Sequence, residues 1–379
     1  MNIIGKTHSI FGNRLFKNKG ALIGLLLIVF SILLAVFAYQ LAPDHSPNAN
    51  RIIPEIGSKK PGFTIQLLKI RREQVLKQQN LFEQLLNGEE DSYNYIPITG
   101  YQLKQDSLIY QKFVDDGINE KISISTMGFL GTPSPARLSM EEYRKLFAAQ
   151  HIITRKFYLG TDKFGRDILS RLIIGTRVSL GVGMIAVIIS LTIGVLLGCL
   201  AGYFRGWVDD VIMWLTNVIW SIPTLLLVFA MTLVLGKGFW QVFIAVGLTM
   251  WVNVARLVRG QVLAQRELDY IEATRALGYS NARIIFLHIL PNILGPIMVI
   301  SAANFASAIV IEAGLSFLGV GVQPPQPSWG LMIKENYNFI ITHNPMLALA
   351  PGIAIMLLVL AFNLLGNGLR DALNVKQNN

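Results

Sequence analysis

Apolar and polar positions alternate in long blocks along this chain, and the blocks set its architecture. Six strongly apolar stretches lack Asp, Glu, Lys and Arg for 18 residues or more: Ala21–Leu41, Val178–Phe204, Val211–Gly236, Gly238–Ala255, Ile289–Ile311 and Pro345–Leu369. Each is long enough, or nearly so, to cross a hydrocarbon core of about 30 Å at about 1.5 Å per residue. Helices satisfy their own backbone groups in lipid, so the pattern predicts an all-α polytopic membrane protein with six transmembrane helices. Between the fourth and fifth apolar blocks lies a polar, helix-forming segment, Asp269 to Pro291. Glu272 to Leu277 are mostly strong helix formers, and Gly278 is a natural left-handed stop. Ser280 is placed to cap a second short helix ending near Phe286 or Leu287, and Pro291 to open the next span.

The long polar gap, residues 43–158, predicts a small α+β insert. Four prolines between Pro43 and Pro61 give an extended entry. Ile65, Leu68, Val75, Leu76, Phe82 and Leu86 recur at helical spacing, so an amphipathic helix is expected over Thr64–Leu86, ended by Gly88. Leu108–Val114 and Ile118–Ser125 flank Asp115-Asp116-Gly117 as a hairpin would. Ser139-Met140-Glu141-Glu142 is a capping box opening a helix to about Gln150. The expected layout is an N-terminus and first span over 1–42, the insert over 43–158, and a five-helix core over 159–379 with a polar loop at 256–291.

Composition agrees: the 379 residues are 52% hydrophobic and 15% charged. The net charge of +10 does not point to nucleic acid, because many basic residues flank the spans, where they orient the chain. Residues 1–20 carry Lys6, Arg14, Lys17 and Lys19 and no acid, which places that end in the cytoplasm. Six spans return the C-terminus to the same side, and the Arg256–Arg283 loop falls there too. Arg171 and Arg177 fit this orientation less well. A cleaved signal peptide has an apolar core of about 7–15 residues and a small-x-small site. The first run here is longer and Val36-Phe37-Ala38 is a marginal site, so a retained anchor is expected. Cys199, the only cysteine, lies inside a span and offers neither an intrachain disulfide nor metal spacing.

Several motifs then resemble one family. Glu272-Ala273-Thr274, Gly278 and Leu290-Pro291 resemble the cytoplasmic EAA loop of bacterial ABC importer permeases. Thr274 departs from the general pattern, and His288-Ile289-Leu290-Pro291 has the form usual in the peptide/nickel branch. Leu159-Gly160-Thr161-Asp162 followed by Gly165-Arg166-Asp167 resembles the outer motif of the C-type subunit of oligopeptide and dipeptide permeases. Asp162 suits an Asx turn and Asp167 a helix cap; the motif serves either that structure or contact with a delivery protein. Pro324-Pro325, Pro327-Ser328-Trp329-Gly330 and Ala361-Phe362-Asn363 extend the resemblance.

The resemblance implies a type I ABC importer permease fold in the bacterial inner membrane, multi-pass, with both termini cytoplasmic. It implies import of peptides or a related small solute, with no cofactor and no catalysis by this chain. Glu272, Ala273, Gly278, Leu290 and Pro291 would couple to the ATPase; Gly160, Asp162, Gly165, Arg166 and Asp167 would form the outer motif. Implied partners are a homologous second permease chain, two ATP-binding subunits, an extracytoplasmic solute-binding protein and the bilayer. The insert departs from the family, whose members have a shorter loop there.

No GxxxxGK[ST] phosphate loop occurs, so ATP chemistry falls to other subunits. Asn217, Ser221, Thr224 and Asn253 either line a pathway or make interhelical hydrogen bonds. Pro223 is expected to kink the third span. Glu312, 21 residues past Pro291, is expected near the outer surface, paired or solvated. Alternatives to an importer subunit are an ion-coupled secondary transporter, which the lack of buried intramembrane charge disfavours, and a membrane-anchored interaction protein working through its insert. The arginine distribution yields a direct test of orientation. A cysteine at Asn87 should react with impermeant thiol reagents from outside sealed cells and one at Ser280 should not; labelling at Ser280 would overturn the orientation.

Overall fold

The computed structural model describes residues 15–72, 79–104, 107–125, 140–236, 238–341 and 344–373. Five helices are long and apolar enough to cross a membrane. They are α1 (Lys19–Val36), α4 (Ile168–Phe204), α7 (Phe239–Arg266), the rod Asn281–Leu318 that contains α9 (Leu290–Leu318), and α11 (Met346–Leu373). The third apolar block is broken at Pro223, more sharply than a simple kink. It is two helices, α5 (Gly206–Trp220) and α6 (Thr224–Leu235), at 91° to each other. Pro223 sits at the break and begins the turn of α6. It cannot donate to the ladder, and it disfavours helical backbone at Ile222. Counting the pair as one span gives up to six.

The centre of the helical body is the contact of α4 with α7. Gly194, Gly198 and Gly202 recur every four residues on one face of α4. A Cβ on them would meet Val254 Cβ at 2.5 Å, the Ala255 carbonyl at 2.6 Å, and the Arg259 carbonyl at 2.8 Å. Val254, Val258 and Val262 are buried against this stripe. The interface is therefore a smooth groove filled by a β-branched ridge, the close approach that small residues permit between membrane helices. The outer ends are tied by a second apolar cluster that includes Val182, Ala186, Phe243, Val246, Ala308 and Leu315.

The first span belongs to this body. Asn18 caps α1 by accepting from the Ala21 N–H at 3.1 Å and donates to Asp371 at 3.0 Å. Gly24 lies where a Cβ would be 2.6 Å from the Ala361 carbonyl. The first and last spans thus pack side by side through small residues.

The insert carries a five-stranded antiparallel sheet in the order β4-β3-β2-β1-β5. Its strands are β1 (Phe63–Arg71), β2 (Tyr93–Leu103), β3 (Ser107–Asp115), β4 (Ile118–Ser125) and β5 (Ile152–Phe157). The expected helix over Thr64–Leu86 is corrected. Its first part is β1, an interior strand paired on both edges, which buries Ile65, Leu67, Leu68 and Ile70 between β2 and β5. Only Leu81–Asn87 is helical (α2), with a capping box from Asn80 and Glu83 and Gly88 as its stop. Val75 and Leu76 lie outside the described residues. The consecutive Leu67 and Leu68 break the alternation of a half-buried strand, because Ile65 and Leu67 are buried on one face of β1 and Leu68 and Ile70 on the other; pairing on both edges fixes it as a strand. The hairpin at Asp115–Gly117 forms as expected, and a helix follows at Met140–His151 (α3); Ser139 lies outside the described residues.

At 37 residues α4 is about 55 Å long, far more than a hydrocarbon core needs. Its first turns rise out of the apolar body and carry the insert. Ser170 Oγ accepts from the Asp44 N–H at 2.8 Å. Arg177 Nη1 donates to the Leu85 and Leu86 carbonyls at the C-terminal end of α2, where a cation is favoured. Gly198→Val should lower the melting temperature of the purified protein, because the added atoms meet the Ala255 carbonyl as well as Val258. We expect a cost of about 1–3 kcal/mol, read by thermal unfolding in detergent; an unchanged midpoint would show that α4 and α7 separate freely.

Candidate functional site

The polar loop grows out of the end of α7. After a turn at Glu267 and Leu268, helix α8 (Asp269–Ala276) runs to Gly278, whose φ is +76°. The Tyr279 N–H reaches back to the Thr274 carbonyl at 3.1 Å, and the Gly278 N–H to Arg275 at 2.9 Å. The glycine elbow is therefore a left-handed C-cap. Beyond it the expectation is corrected. Ser280 takes the N-cap position but its side chain makes no capping bond. The helix starting at Asn281 does not stop near Leu287; it widens into a π turn over Ile284–Ile289 and continues through α9, a rod of 38 residues. Pro291 does not open a separate span. A proline clashes with the carbonyl four residues back, and the π turn beside it relieves that crowding.

One face of the loop is fixed and the other is open. Ile271, Ile284, Ile285 and Ile289 pack with Val258, Val262, Cys199 and Tyr203. Glu272, Ala273, Gly278 and Pro291 are exposed and Leu290 is half-buried. Leu277, Phe286 and Leu287 are 72%, 59% and 62% exposed. These three large apolar side chains are left exposed on the same loop as the acid. Arg275, three residues along the same helix from Glu272, lies over the Tyr203 ring at 5.3 Å. Among the described residues Glu272 has no hydrogen bond or ion pair. Tyr203 escaped the sequence reading: its hydroxyl bonds Asn281 at 2.9 Å, and its carbonyl accepts from Arg266 at 2.7 Å. An aromatic at the last turn of a span, beside Arg205, was the available signal.

The second motif is folded inward. Asp162 Oδ1 accepts from the Phe164 and Arg166 N–H groups at 2.9 and 3.0 Å, an Asx turn, and Asp167 caps α4 through the Ser170 N–H at 2.9 Å. Gly160 and Gly165 have φ of +80° and +74°, and a Cβ on Gly165 would lie 1.8 Å from the Ile53 carbonyl. Arg166 bonds Asp162 at 2.6 Å and Glu335 at 2.8 Å; Arg171 lies 3.9 and 3.6 Å from the same two acids. Glu335 is on α10 (Trp329–Asn336). Asp162 and Arg166 are fully or nearly buried, so only Lys163 and Phe164 of the turn reach the surface. This network also explains why Arg171 and Arg177 fit the charge rule poorly: both belong to the insert's seat.

Glu312 is corrected as well. It is fully buried, and its Oε1 accepts from Ser316 Oγ at 2.7 Å. Ser316 Oγ in turn accepts from the Val322 N–H, so the acid anchors the loop that follows α9. Of the four intramembrane polar residues, Asn217 accepts from Arg256 on α7 at 2.5 Å and Ser221 donates to its own helix. Thr224 and Asn253 line a cavity. No cluster of three or more metal-ligating side chains occurs among the described residues.

The open EAA-type loop and the first span both fall within what the comparisons match. Residues 194–378 fit the family described as binding-protein-dependent transport system inner membrane component, and residues 9–59 the N-terminal TM domain of oligopeptide transport permease C. The chain is 44% identical over 219 residues to the glutathione transport system permease protein GsiD of Pectobacterium atrosepticum, covering 58% of this chain and 72% of that one. It belongs to the peptide branch of the ABC importer permeases. The permease is also 43% identical over 224 residues to the di/tripeptide transport system permease protein DppC of Pseudomonas aeruginosa, covering 59% and 74% of the two chains. With OppC of Bacillus subtilis it shares 39% over 223 residues, 59% and 73% of the chains. An inward-facing structure of the MetNI methionine ABC transporter aligns at 19% identity with a TM-score of 0.45, over 54% of this chain and 97% of that chain. Neither family model covers residues 60–193, which hold the whole sheet of the permease.

Asp162→Asn tests the inward network. It leaves Arg166 and Arg171 sharing Glu335, an uncompensated buried charge worth about 3–5 kcal/mol. We expect sharply reduced membrane levels and a lower unfolding temperature, with Asp115→Asn in the exposed hairpin near wild type.

Proposed function

We propose that this permease forms half of the translocation pathway of an importer for peptides or a related small solute. A homologous permease chain supplies the other half. Two ATP-binding subunits dock at the loop of α8 and the elbow, and an extracytoplasmic binding protein delivers the solute. Both termini and the loop face the cytoplasm. One observation carries this reading: Leu277, Phe286, Leu287 and an unpaired Glu272 are all left exposed on a loop whose other face is locked into the helical body. Exposed apolar side chains and an unpaired charge on one loop suit a protein interface. The locked face gives the docked subunits purchase on α7 and α9, so ATP-driven closure moves the spans and switches the pathway between inward- and outward-open states. Glu272 pairs with a basic residue of the ATPase. Gly160, Asp162, Gly165, Arg166 and Asp167 position the insert and α10 and do not meet the solute.

Gly278→Val and Glu272→Gln test the docking role. A Cβ on Gly278 meets nothing within 4 Å, so its substitution acts through backbone strain alone, about 1 kcal/mol or more. Both variants should reach normal membrane levels, lose stoichiometric ATPase co-purification or coupling, and lose uptake. Normal transport by Glu272→Gln would remove the cross-subunit pair; wild-type transport by Gly278→Val as well would make the loop a passive connector.

A further inference from the structure

The bend between α5 and α6 encloses a cavity of about 220 Å³ against α7 and α9. Its polar lining comes from Thr224, Thr249, Asn253 and Ser307, with Trp220 and Ile311 as apolar wall. Below it, α5 crosses α7 steeply. From Asp209 to Asn217 it advances eight residues, roughly 12 Å, while the groups it bonds on α7, Arg259 and Arg256, are three residues apart, roughly 4.5 Å. Arg256 therefore sits at the inner corner of the bend, one turn beyond Asn253 on the same helix face.

Four arginines at this end of the molecule, Arg256, Arg266, Arg275 and Arg283, lie over aromatic rings without an ion pair among the described residues, and of these Arg256 alone has a buried side-chain nitrogen with no hydrogen bond. Arg259 is held bidentately by Asp209 at 2.5 and 2.6 Å, and Arg205 pairs with Glu267. Arg256 has no acidic partner among the described residues. Its guanidinium lies 3.8 Å from the centroid of the Trp220 ring and donates to the neutral Asn217 amide oxygen. Its Nε is shut off from solvent with no partner. A half-buried cation whose acceptor is a neutral, exposed amide oxygen is open to an anion of better geometry.

We propose that Arg256 recognises a free carboxylate on the transported solute as the solute passes Trp220 and leaves the cavity. This rests on the importer reading above. The guanidinium is parked: Asn217 and the Trp220 face hold it in place without neutralising it. An arriving carboxylate replaces the amide oxygen with a charged, bidentate acceptor, roughly twice as strong. Asn253, one turn up, offers the solute a neutral polar contact on the way. A phosphate of the inner lipid leaflet has the same chemistry as a counter-ion, and the test separates the two.

The assembled transporter, with its ATPases and binding protein, is reconstituted in vesicles with and without anionic lipid. Uptake of dialanine, trialanine and glutathione is measured, and the best-carried of them serves as probe. Arg256→Gln should cut its uptake by about ten-fold or more at equal assembled protein, the loss expected for one charge-assisted hydrogen bond. Arg256→Lys should recover part of it. Asn217→Ala, which frees the parked guanidinium, should keep or raise uptake. Equal losses in Arg256→Gln and Asn217→Ala would mean a structural brace and overturn the proposal. So would wild-type uptake by Arg256→Gln, or a loss that appears only in anionic vesicles. Failure of the wild-type transporter to carry any of the three peptides would instead sink the importer reading for peptides.

Discussion

The structure depends on how closely α4 and α7 approach each other. Three glycines four residues apart remove every side chain from one stripe of α4, and three valines of α7 fill it. In lipid there is no solvent to drive helices together, so a contact of this kind rests on dispersion and close packing. Both ends of the molecule are built on it. At one end Val258 and Val262 continue into the cluster that holds the loop of α8. At the other, α4 runs on past the apolar body and supports the sheet.

The two motif regions then divide the work by exposure. The outer motif spends its charges inward, on Glu335 and Arg171, and fixes one geometry. The loop does the opposite. Its apolar side is buried, and its acid and three large hydrophobic residues are left facing out. A buried network with few exposed groups specifies structure; exposed apolar side chains with an unpaired charge are available to a partner.

The apolar blocks and the elbow were legible because each has a local cause. A run without charge must lie in lipid or a core, and φ of +76° at Gly278 is a conformation that glycine enters without strain. The rest failed where the cause is distant. The partners Arg166 and Glu335 are 169 residues apart, and no spacing announces them. β1 was misread because it is buried on both faces, so Leu67-Leu68 hides the alternation of a strand and only pairing with β2 and β5 decides. The π turn before Pro291 was missed because a proline near a polar loop also suits a helix start. Arg256 counted only as one of several cytoplasmic arginines, since its lack of an acid is visible only when its neighbours are known.

The unbroken helix from Asn281 to Leu318 has a mechanical consequence. At about 57 Å it is nearly twice the thickness of the hydrocarbon core. It joins the elbow at one end to the buried Glu312–Ser316 anchor near the other. A stiff beam of that length is a lever: a tilt of about 5° about one end displaces the other by about 5 Å. The π turn, beside Pro291 and close to the elbow, is one compliant point on the beam. Pro296, inside the rod just beyond it, adds a second compliant position at the same end, so the helix from there to Leu318 can tilt as one piece relative to the loop.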